Sequence, residues 1–391
     1  MDYLKRAGEL MPQMVADRRY LHQNPEVGFE LPKTTAFVCE KLREIGLVPK
    51  MVGKSGITAT IGDPARGKTI LLRADMDALP MREDSGLPFA STCERAHTCG
   101  HDMHTAMLLG AARLLKENEK ELCGCVKLMF QPAEEILGGA KDMLENGILE
   151  DPHVDAAMGA HMLPMAPTGF IGYGKGAVSA SSDTINITVT GKGGHGASPQ
   201  NTIDPINVMV HIHLALQELI AREATPGEVA VLTFGRFQAG EANNIIPQTA
   251  FMGGSLRMYD KKQQAFMLER IEQVTKSIAE AFRAEAKFEN PHSTCALVID
   301  ERMADIIGEG FGKLFGSRAA CLDQKMSGSE DFAEVAERVP SVFFVVGGGT
   351  PENGYCYGGH HPKVMFDENA LQFGAAAYAC GASYWLSSSD K

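Results

Sequence analysis

The sequence predicts an α/β protein in two parts, a mixed sheet with helices on its faces and a smaller β-α-β-β-α-β unit inserted into it. Three observations carry this expectation. Up to about residue 181, apolar strand-like runs alternate with segments of helical periodicity, the pattern of a largely parallel or mixed sheet. From Ser182 the texture changes, and residues 184–190 (T-I-N-I-T-V-T) alternate apolar and polar as a half-exposed strand does. Late in the chain, residues 341–346 form another apolar run suited to rejoining the first sheet. The expected boundaries are 1–181 with 298–391 for the larger part and 182–297 for the insert; 391 residues are too many for one ordinary core.

The elements follow in order. Residues 3–22 have helical periodicity through Leu4, Met11, Met14, Val15, Tyr20 and Leu21, and Asn24-Pro25 ends them, because the residue before proline avoids the α region. A second helix fits 33–45, stopped by Gly46. Strands follow at 56–61 and 69–73, the latter running into Asp75-Met76-Asp77. Residues 105–116 have the spacing of an amphipathic helix. Residues 125–130 (C-V-K-L-M-F) read as a buried strand, with Cys123-Gly124-Cys125 as its start rather than a redox pair, and lead into Gln131-Pro132-Ala133-Glu134-Glu135. A helix fits 136–146, and a strand fits 155–160, followed at once by His161. In the insert, the strand at 184–190 meets a glycine-rich loop, Gly191-Lys192-Gly193-Gly194-His195-Gly196. A helix at 205–221, strands at 229–237 and 250–258, a helix at 261–284 and a strand at 286–290 complete the order of a ferredoxin-like unit. Beyond it come a helix at 301–315, the strand at 341–346, and a helix at 368–384 preceded by Gly358-Gly359-His360-His361-Pro362.

Composition narrows the function. Apolar residues make up 44% and charged residues 22%, as in a soluble globular protein. A formal net charge of −12 argues against nucleic acid or an anionic membrane as partner. No apolar run is long enough to span a bilayer, and no leader pattern opens the chain. Nine cysteines without a disulfide framework read as reduced thiols, which predicts a cytoplasmic protein.

The densest chemistry lies in His97-Thr98-Cys99-Gly100-His101-Asp102-Met103-His104. Three imidazoles, a thiol and a carboxylate in eight residues are the side chains that bind transition metals. In an extended stretch Cys99 and His101 would face one side and so one ion. The plainer alternative is a polar loop with Asp102 as N-cap of the next helix. The metal reading gains from its setting, since open α/β sheets bind ligands beyond the carboxyl ends of their strands. Asp75, Asp77, Glu134, Glu135 and His161 fall there too. Two adjacent carboxylates such as Glu134-Glu135 are also what a solvated helix start carries. Beside a metal they can divide the work of hydrolysis, one binding the ion and one handling a water proton. His195, Asn244 and Arg257 have bland surface readings when taken alone.

Taken together and in order, H-T-C-G-H-D-M-H, Q-P-A-E-E and the late H-H-P resemble the aminoacylase and carboxypeptidase-type metallohydrolases. The branch resembled is that of hippurate hydrolase, indole-acetyl–amino acid hydrolase and N-acetyl-diaminopimelate deacetylase. The likeness covers nearly the whole chain, from Arg18-Arg19-Tyr20-Leu21-His22-Gln23-Asn24-Pro25-Glu26 through Asn244-Ile245-Ile246-Pro247 and Gly328-Ser329-Glu330-Asp331-Phe332. It implies a mixed-sheet, zinc-peptidase-like catalytic domain and a ferredoxin-like insert that dimerises the protein or serves as a lid, in a homodimer or higher homo-oligomer. It also implies two divalent metal ions per subunit (Mn, Zn, Co or Ni), held by Cys99, His101, Glu135, His161 and His360. His360 is preferred to His361 because it stands two before the proline. Glu134 would be the general base, and His195 would stabilise the oxyanion in the neighbouring subunit. Asn244 and Arg257 would hold the substrate carboxylate. The wider family has His-x-Asp where this chain has Asp75-Met76-Asp77, so Cys99 is expected to bridge the ions. The activity implied is hydrolysis of N-acyl amino acids, whether hippurate-like, N-acetyl or aryl-acyl. A dipeptidase or carboxypeptidase, and a non-catalytic metal-dependent binding protein, are the rival readings; the intact ligand set with Glu134 speaks against the last.

Overall fold

Residues 1–323, 325–326 and 328–388 are described by a computed structural model. They fall into two units, Met1–Gly176 with Val298–Gln324 and Asp331–Lys391, and Ala177–Leu297 with Lys325–Glu330. The chain begins with α1 (Tyr3–Glu9), α2 (Met11–Gln23), α3 (Pro32–Glu44), β1 (Lys50–Val52), β2 (Gly56–Gly62) and β3 (Lys68–Asp75). Then come α4 (His101–Glu117), β4 (Gly124–Gln131), α5 (Gly139–Glu145), β5 (Ala156–Leu163) and β6 (Ile171–Tyr173). β7 (Gly176–Ser179) leads into the second unit, which holds β8 (Ser182–Thr190), β9 (Gly194–His195), α6 (Pro205–Arg222), β10 (Ala230–Ala239), β11 (Ile245–Ile246), β12 (Thr249–Met258), α7 (Lys261–Ala281), β13 (Glu285–Glu289) and β14 (Ser293–Thr294). β15 (Leu297–Ile299) leads back to α8 (Glu301–Phe315), β16 (Ala319–Cys321), α9 (Ala333–Ala336), β17 (Ser341–Gly347) and α10 (Ala370–Ser388).

The sheet of the first unit has the order β1-β2-β4-β3-β5-β17-β6-β16. Its centre, β4-β3-β5-β17, is parallel, and β2 and β6 flank that centre antiparallel. Strands β4 and β17 are buried along their whole length, β3 in all but its first residue. That is why they read as continuous apolar runs rather than alternations. The late strand β17 does rejoin the first sheet, beside β5. Helices α4, α8 and α10 pack together over it.

In the second unit the sheet order is β10-β12-β8-β13, with antiparallel neighbours throughout. With α6 and α7 the chain order is β-α-β-β-α-β. Its core joins Ile185, Ile187 and Val189 of β8 to Val208, Met209, Ile212 and Leu216 of α6 and Met267 and Ile271 of α7. The other face of α6 exposes Ile206, Val210 and Leu214, and β10, at the sheet edge, exposes Val231 and Phe237.

Three expectations change. The helix expected over 3–22 is two helices meeting at Leu10, because Pro12 has no N–H to offer the carbonyl of Gly8. The helix expected over 136–146 starts at Gly139. Residues 134–137 form a turn instead, with Ala133 and Leu137 at φ 54° and 53° and the amides of Gly138 and Gly139 both donating to the carbonyl of Ala133. The helix expected from 105 begins at His101. The short strands β1, β6 and β16 carry too few residues to show a period.

The 133–139 turn closes so tightly that a Cβ at Gly139 would lie 1.6 Å from the carbonyl oxygen of Pro132. Gly139→Ala is expected to destabilise the first unit by about 1–3 kcal/mol, as overpacking does. Thermal unfolding measures this, and an unchanged midpoint would contradict the closure described.

Candidate metal centre

The candidate side chains gather at the carboxyl ends of the parallel strands. β3 ends at Asp75 and continues to Asp77; β4 leads through Pro132-Ala133 to Glu134-Glu135; β5 carries His161 near its end; and the loop after β17 reaches His360. Cys99 and His101 arrive from the long connection between β3 and α4. Between them Gly100 is left-handed, at φ 100°, and is the residue that caps α4. That turn, not an extended strand, brings Cys99 and His101 to one place. Asp102 is not the cap. It lies in the first turn of α4, fully buried, and accepts from Arg18 Nε (2.7 Å) and His22 Nδ1 (2.8 Å).

Cys99 Sγ is 3.3 Å from His161 Nε2 and 3.4 Å from His360 Nε2. Glu135 Oε2 is 3.6 Å from His360 Nε2, and its Oε1 is 3.8 Å from His101 Nε2. Glu134 Oε2 lies 3.9 Å from the same His101 nitrogen. Cys99-His101-His161 and Cys99-Glu135-His360 form two triads that share the thiol, and His101, Glu134 and Glu135 form a third group beside them.

The surrounding hydrogen bonds aim these groups. Asp77 accepts from the backbone N–H of Glu134 (3.0 Å) and Glu135 (3.3 Å), and its Oδ1 is 3.4 Å from His101 Nδ1. One carboxylate thus fixes the glutamate turn and faces the ring of His101. His161 donates Nδ1–H to the carbonyl of Met162 (2.8 Å), which leaves its Nε2 lone pair toward Cys99. The N–H of His360 donates to the carbonyl of Thr98 (2.9 Å), which ties the late loop beside Cys99. His104 has no free nitrogen: Nδ1 donates to Asp75 (2.6 Å) and Nε2 accepts from Met162 N–H (2.8 Å). Burial pushes its imidazole down to about 4, so it is neutral and structural. Asp75 is taken up by His104 and by Arg73 Nη1 (2.8 Å), and its Oδ2 lies 3.6 Å from His101 Nε2.

The charges call for a cation. Burial pushes the Cys99 thiol well above its ordinary value, against the pull of His101, and Glu135 and Glu134 push it the same way as burial. Burial alone would pull His101 down, but Asp75, Cys99 and Asp77 outweigh it and hold the imidazole well above its ordinary value. Both ring nitrogens of His101 and Oε1 of Glu135 are buried without a hydrogen-bond partner. A divalent ion takes such a thiol as thiolate and satisfies the Glu135 oxygen and Nε2 of His101, while Nδ1 faces Asp77. The spacing agrees: sulfur at about 2.3 Å and nitrogen at about 2.0 Å from one tetrahedral ion lie roughly 3.5 Å apart. The donor set fits two divalent ions sharing Cys99.

Of the other candidates, His195 is exposed on β9, opposite Ile245 of β11. The N–H of Gly196 donates to the carbonyl of Asn244 (2.9 Å), so these two sequence-distant residues stand on one small ladder of the second unit. Arg257 lies on β12 opposite Val231, with Nη1 buried and unpartnered. Sequence reasoning missed two supporting networks. One is Arg18, His22 and Glu83 around Asp102, with His22 Nε2 3.0 Å from Glu83 Oε1. The other is Arg73, Gln131 and Asp331, in which Asp331 accepts from Arg73 Nη2 (3.1 Å), Gln131 Nε2 (2.7 Å) and the N–H of Ala140 (3.0 Å). Their only signal was the presence of Arg18, His22 and Asp331 in segments that carried the family likeness.

Comparison with known proteins shows the family. A family model described as peptidase family M20/M25/M40 matches residues 71–383. N-acetyl-L-cysteine deacetylase of Bacillus subtilis (strain 168) is 36% identical over 385 residues, covering 98% of this chain and 88% of the relative. Hippurate hydrolase of Campylobacter jejuni is 36% identical over 365 residues, covering 93% and 94%. The crystal structure of the Bacillus subtilis YXEP protein, a dinuclear metal binding peptidase from the M20 family, superposes with a TM-score of 0.83 at 33% identity, covering 97% of this chain and 99% of that one.

Because Cys99 belongs to both triads and His360 to one, the two substitutions should differ. Cys99→Ala is expected to weaken both ions and His360→Ala to lose one, read as metal equivalents per subunit after dialysis. Equal losses in the two variants would contradict the shared thiol.

Proposed function

The chain belongs to peptidase family M20/M25/M40, and on that footing we propose a metal-dependent amidohydrolase that cleaves N-acyl amino acids to a carboxylic acid and a free amino acid. The observation that carries this reading is the pair of triads sharing Cys99, with Glu134 beside them. Two relatives are named for acyl-amino-acid cleavage, N-acetyl-L-cysteine deacetylase and hippurate hydrolase. Cys99, His101, Glu135, His161 and His360 are the proposed ligands. One thiol, three imidazoles and one carboxylate suit Mn, Zn, Co or Ni better than magnesium or calcium.

When bound, two divalent ions supply Lewis-acid polarisation of the scissile carbonyl and lower the pKa of a water. Glu134 takes a proton from the attacking water as its oxygen bonds to the carbonyl carbon. It then gives that proton to the amide nitrogen as the carbon–nitrogen bond breaks. Asp77 holds Glu134 in place through the backbone, and Glu135 stays with the metal. His195 donates to the oxyanion, and Asn244 and Arg257 grip the substrate carboxylate, Arg257 as a bidentate donor.

The second unit is proposed as a ferredoxin-like dimerisation domain. Support comes from the apolar stripe Ile206, Val210 and Leu214 on α6 and from the edge strand β10 with Val231 and Phe237, a surface a second copy could cover. His195 is assigned to the neighbour's site. A cytoplasmic location is proposed because the nine cysteines show no disulfide framework in their spacing; none of the described helices is long and apolar enough to cross a membrane.

Glu134→Gln is expected to keep the ions and the fold while losing at least ~10²–10⁴-fold in rate. Glu135→Gln should instead lose metal. Metal analysis beside turnover of N-acetyl and N-benzoyl amino acids and of dipeptides tests both, and swapped phenotypes would reverse the assignment. A preference for dipeptides with a free α-amine would move the reading to a dipeptidase.

The trans role of His195 is tested by complementation. His195→Ala and Glu134→Gln should each be nearly inactive alone. Subunit exchange between them should restore activity towards about a quarter of wild type, since half the dimers are mixed and one of their two sites is intact. A mixture that stays inactive despite proven exchange would refute the trans assignment.

A further inference from the structure

Six non-glycine residues among those described have positive φ: Ala133, Leu137, Asp151, Met165, Arg283 and His360. Such a backbone is uncommon for residues with side chains, and it concentrates at functional sites. Ala133 and Leu137 bracket the glutamate turn, and His360 is itself a proposed ligand. Met165, at φ 57° and four residues beyond His161, has no part in the chemistry assigned so far. Glycine would take that backbone without strain, yet a large apolar side chain stands there, 49% exposed.

Met165 is not alone. Ile136 follows Glu135 and is 48% exposed; Tyr357 precedes His360 by three residues and is 37% exposed, its ring stacked 4.2 Å from that of His361. The glutamate turn, the loop that follows β5 and His161, and the loop bearing His360 therefore each carry one exposed large apolar side chain. Two of these loops touch: the Met165 methyl carbon is 3.8 Å from where a Cβ on Gly358 would stand. Exposed apolar groups beside a polar site mark a surface that a ligand covers.

We propose that Met165 and Tyr357, with Ile136 beside the glutamate turn, form the wall that receives the acyl group of the substrate and select for an aryl or other bulky apolar acyl group over acetyl. This rests on the amidohydrolase reading above. The amino-acid half of such a substrate carries a carboxylate and needs a cation, which none of these side chains supplies. The uncharged acyl half gains from leaving water against methionine, isoleucine and tyrosine. The wall is a specificity device and takes no part in bond cleavage.

The test uses the metal-loaded full chain and two substrate series. In the first the amino acid is glycine and the acyl group is acetyl, hexanoyl or benzoyl; in the second the acyl group is acetyl and the amino acid is glycine, alanine or leucine. Wild type is expected to favour N-benzoylglycine over N-acetylglycine in kcat/KM. Met165→Gly suits the backbone at that position, and both it and Tyr357→Ser should lower that ratio by about tenfold each, the scale on which apolar pockets discriminate. Metal content is measured in each variant, so that loss of the centre is not read as loss of selectivity. A wild type that prefers acetyl, a ratio unmoved in both metal-replete variants, or a shift confined to the amino-acid series would overturn the assignment. Hydrolysis of neither series by wild type would instead sink the amidohydrolase reading, and this inference with it.

Discussion

A half-buried thiol beside buried and half-buried carboxylates is the constraint on which the first unit depends. Cys99, Glu134, Glu135, Asp75 and Asp77 converge where four strands end, and burial resists ionising any of them. The protein meets part of that demand itself. Arg73 lies fully buried between Asp75 and Asp331, and Arg18, 1% exposed, sits against Asp102. Such pairs do little for net stability, but removing one partner costs about 3–5 kcal/mol. Unmet atoms near the ligand cluster include the ring nitrogens of His101 and one oxygen of Glu135, beside a thiol whose ionisation burial resists. A divalent cation answers Nε2 of His101, the Glu135 oxygen and the thiol together, while Nδ1 of His101 faces Asp77.

The supports divide into an outer and an inner layer. Asp102 anchors the start of α4 through Arg18 and His22. Burial opposes charge on His22, but Asp102 and Glu83 outweigh it and raise the imidazole above its ordinary value. Asp75 and His104 brace the same helix from the strand side. Asp77 then fixes the glutamate turn. These groups spend polar atoms on one another and on the backbone, and so brace α4 and the glutamate turn beside the triads. The backbone follows the same logic: left-handed residues flank the glutamates and include His360, where loops must turn sharply to present side chains at a strand end.

Much of this was legible in the sequence. Continuous apolar runs gave the buried strands β3, β4 and β17, and the change to alternation at residue 184 marked the half-exposed sheet of the second unit. H-T-C-G-H, Q-P-A-E-E and the late H-H-P placed the candidate ligands because they fall where strands end. The illegible parts are those that arise from contacts distant in sequence. Nothing local in Asp102 shows that Arg18, 84 residues away, will claim it instead of a helix cap, and nothing in Asp331 shows that it will face Arg73. Residues 136–138 read as the start of a helix because the run from Ile136 has ordinary helical propensity. What prevents the helix is the tether of Glu134 and Glu135 to Asp77, which is tertiary, and the tight local return of Gly139 onto Pro132.

The shared thiol is the central claim, and X-ray absorption at the zinc edge of protein holding two zinc ions per subunit tests it most directly. A bridging Cys99 gives one sulfur per zinc at about 2.3 Å, with a zinc–zinc vector near 3.5–4 Å. Half a sulfur per zinc would make Cys99 a ligand to one ion only, and a shell of nitrogen and oxygen alone would remove it from the centre; either result would contradict the account.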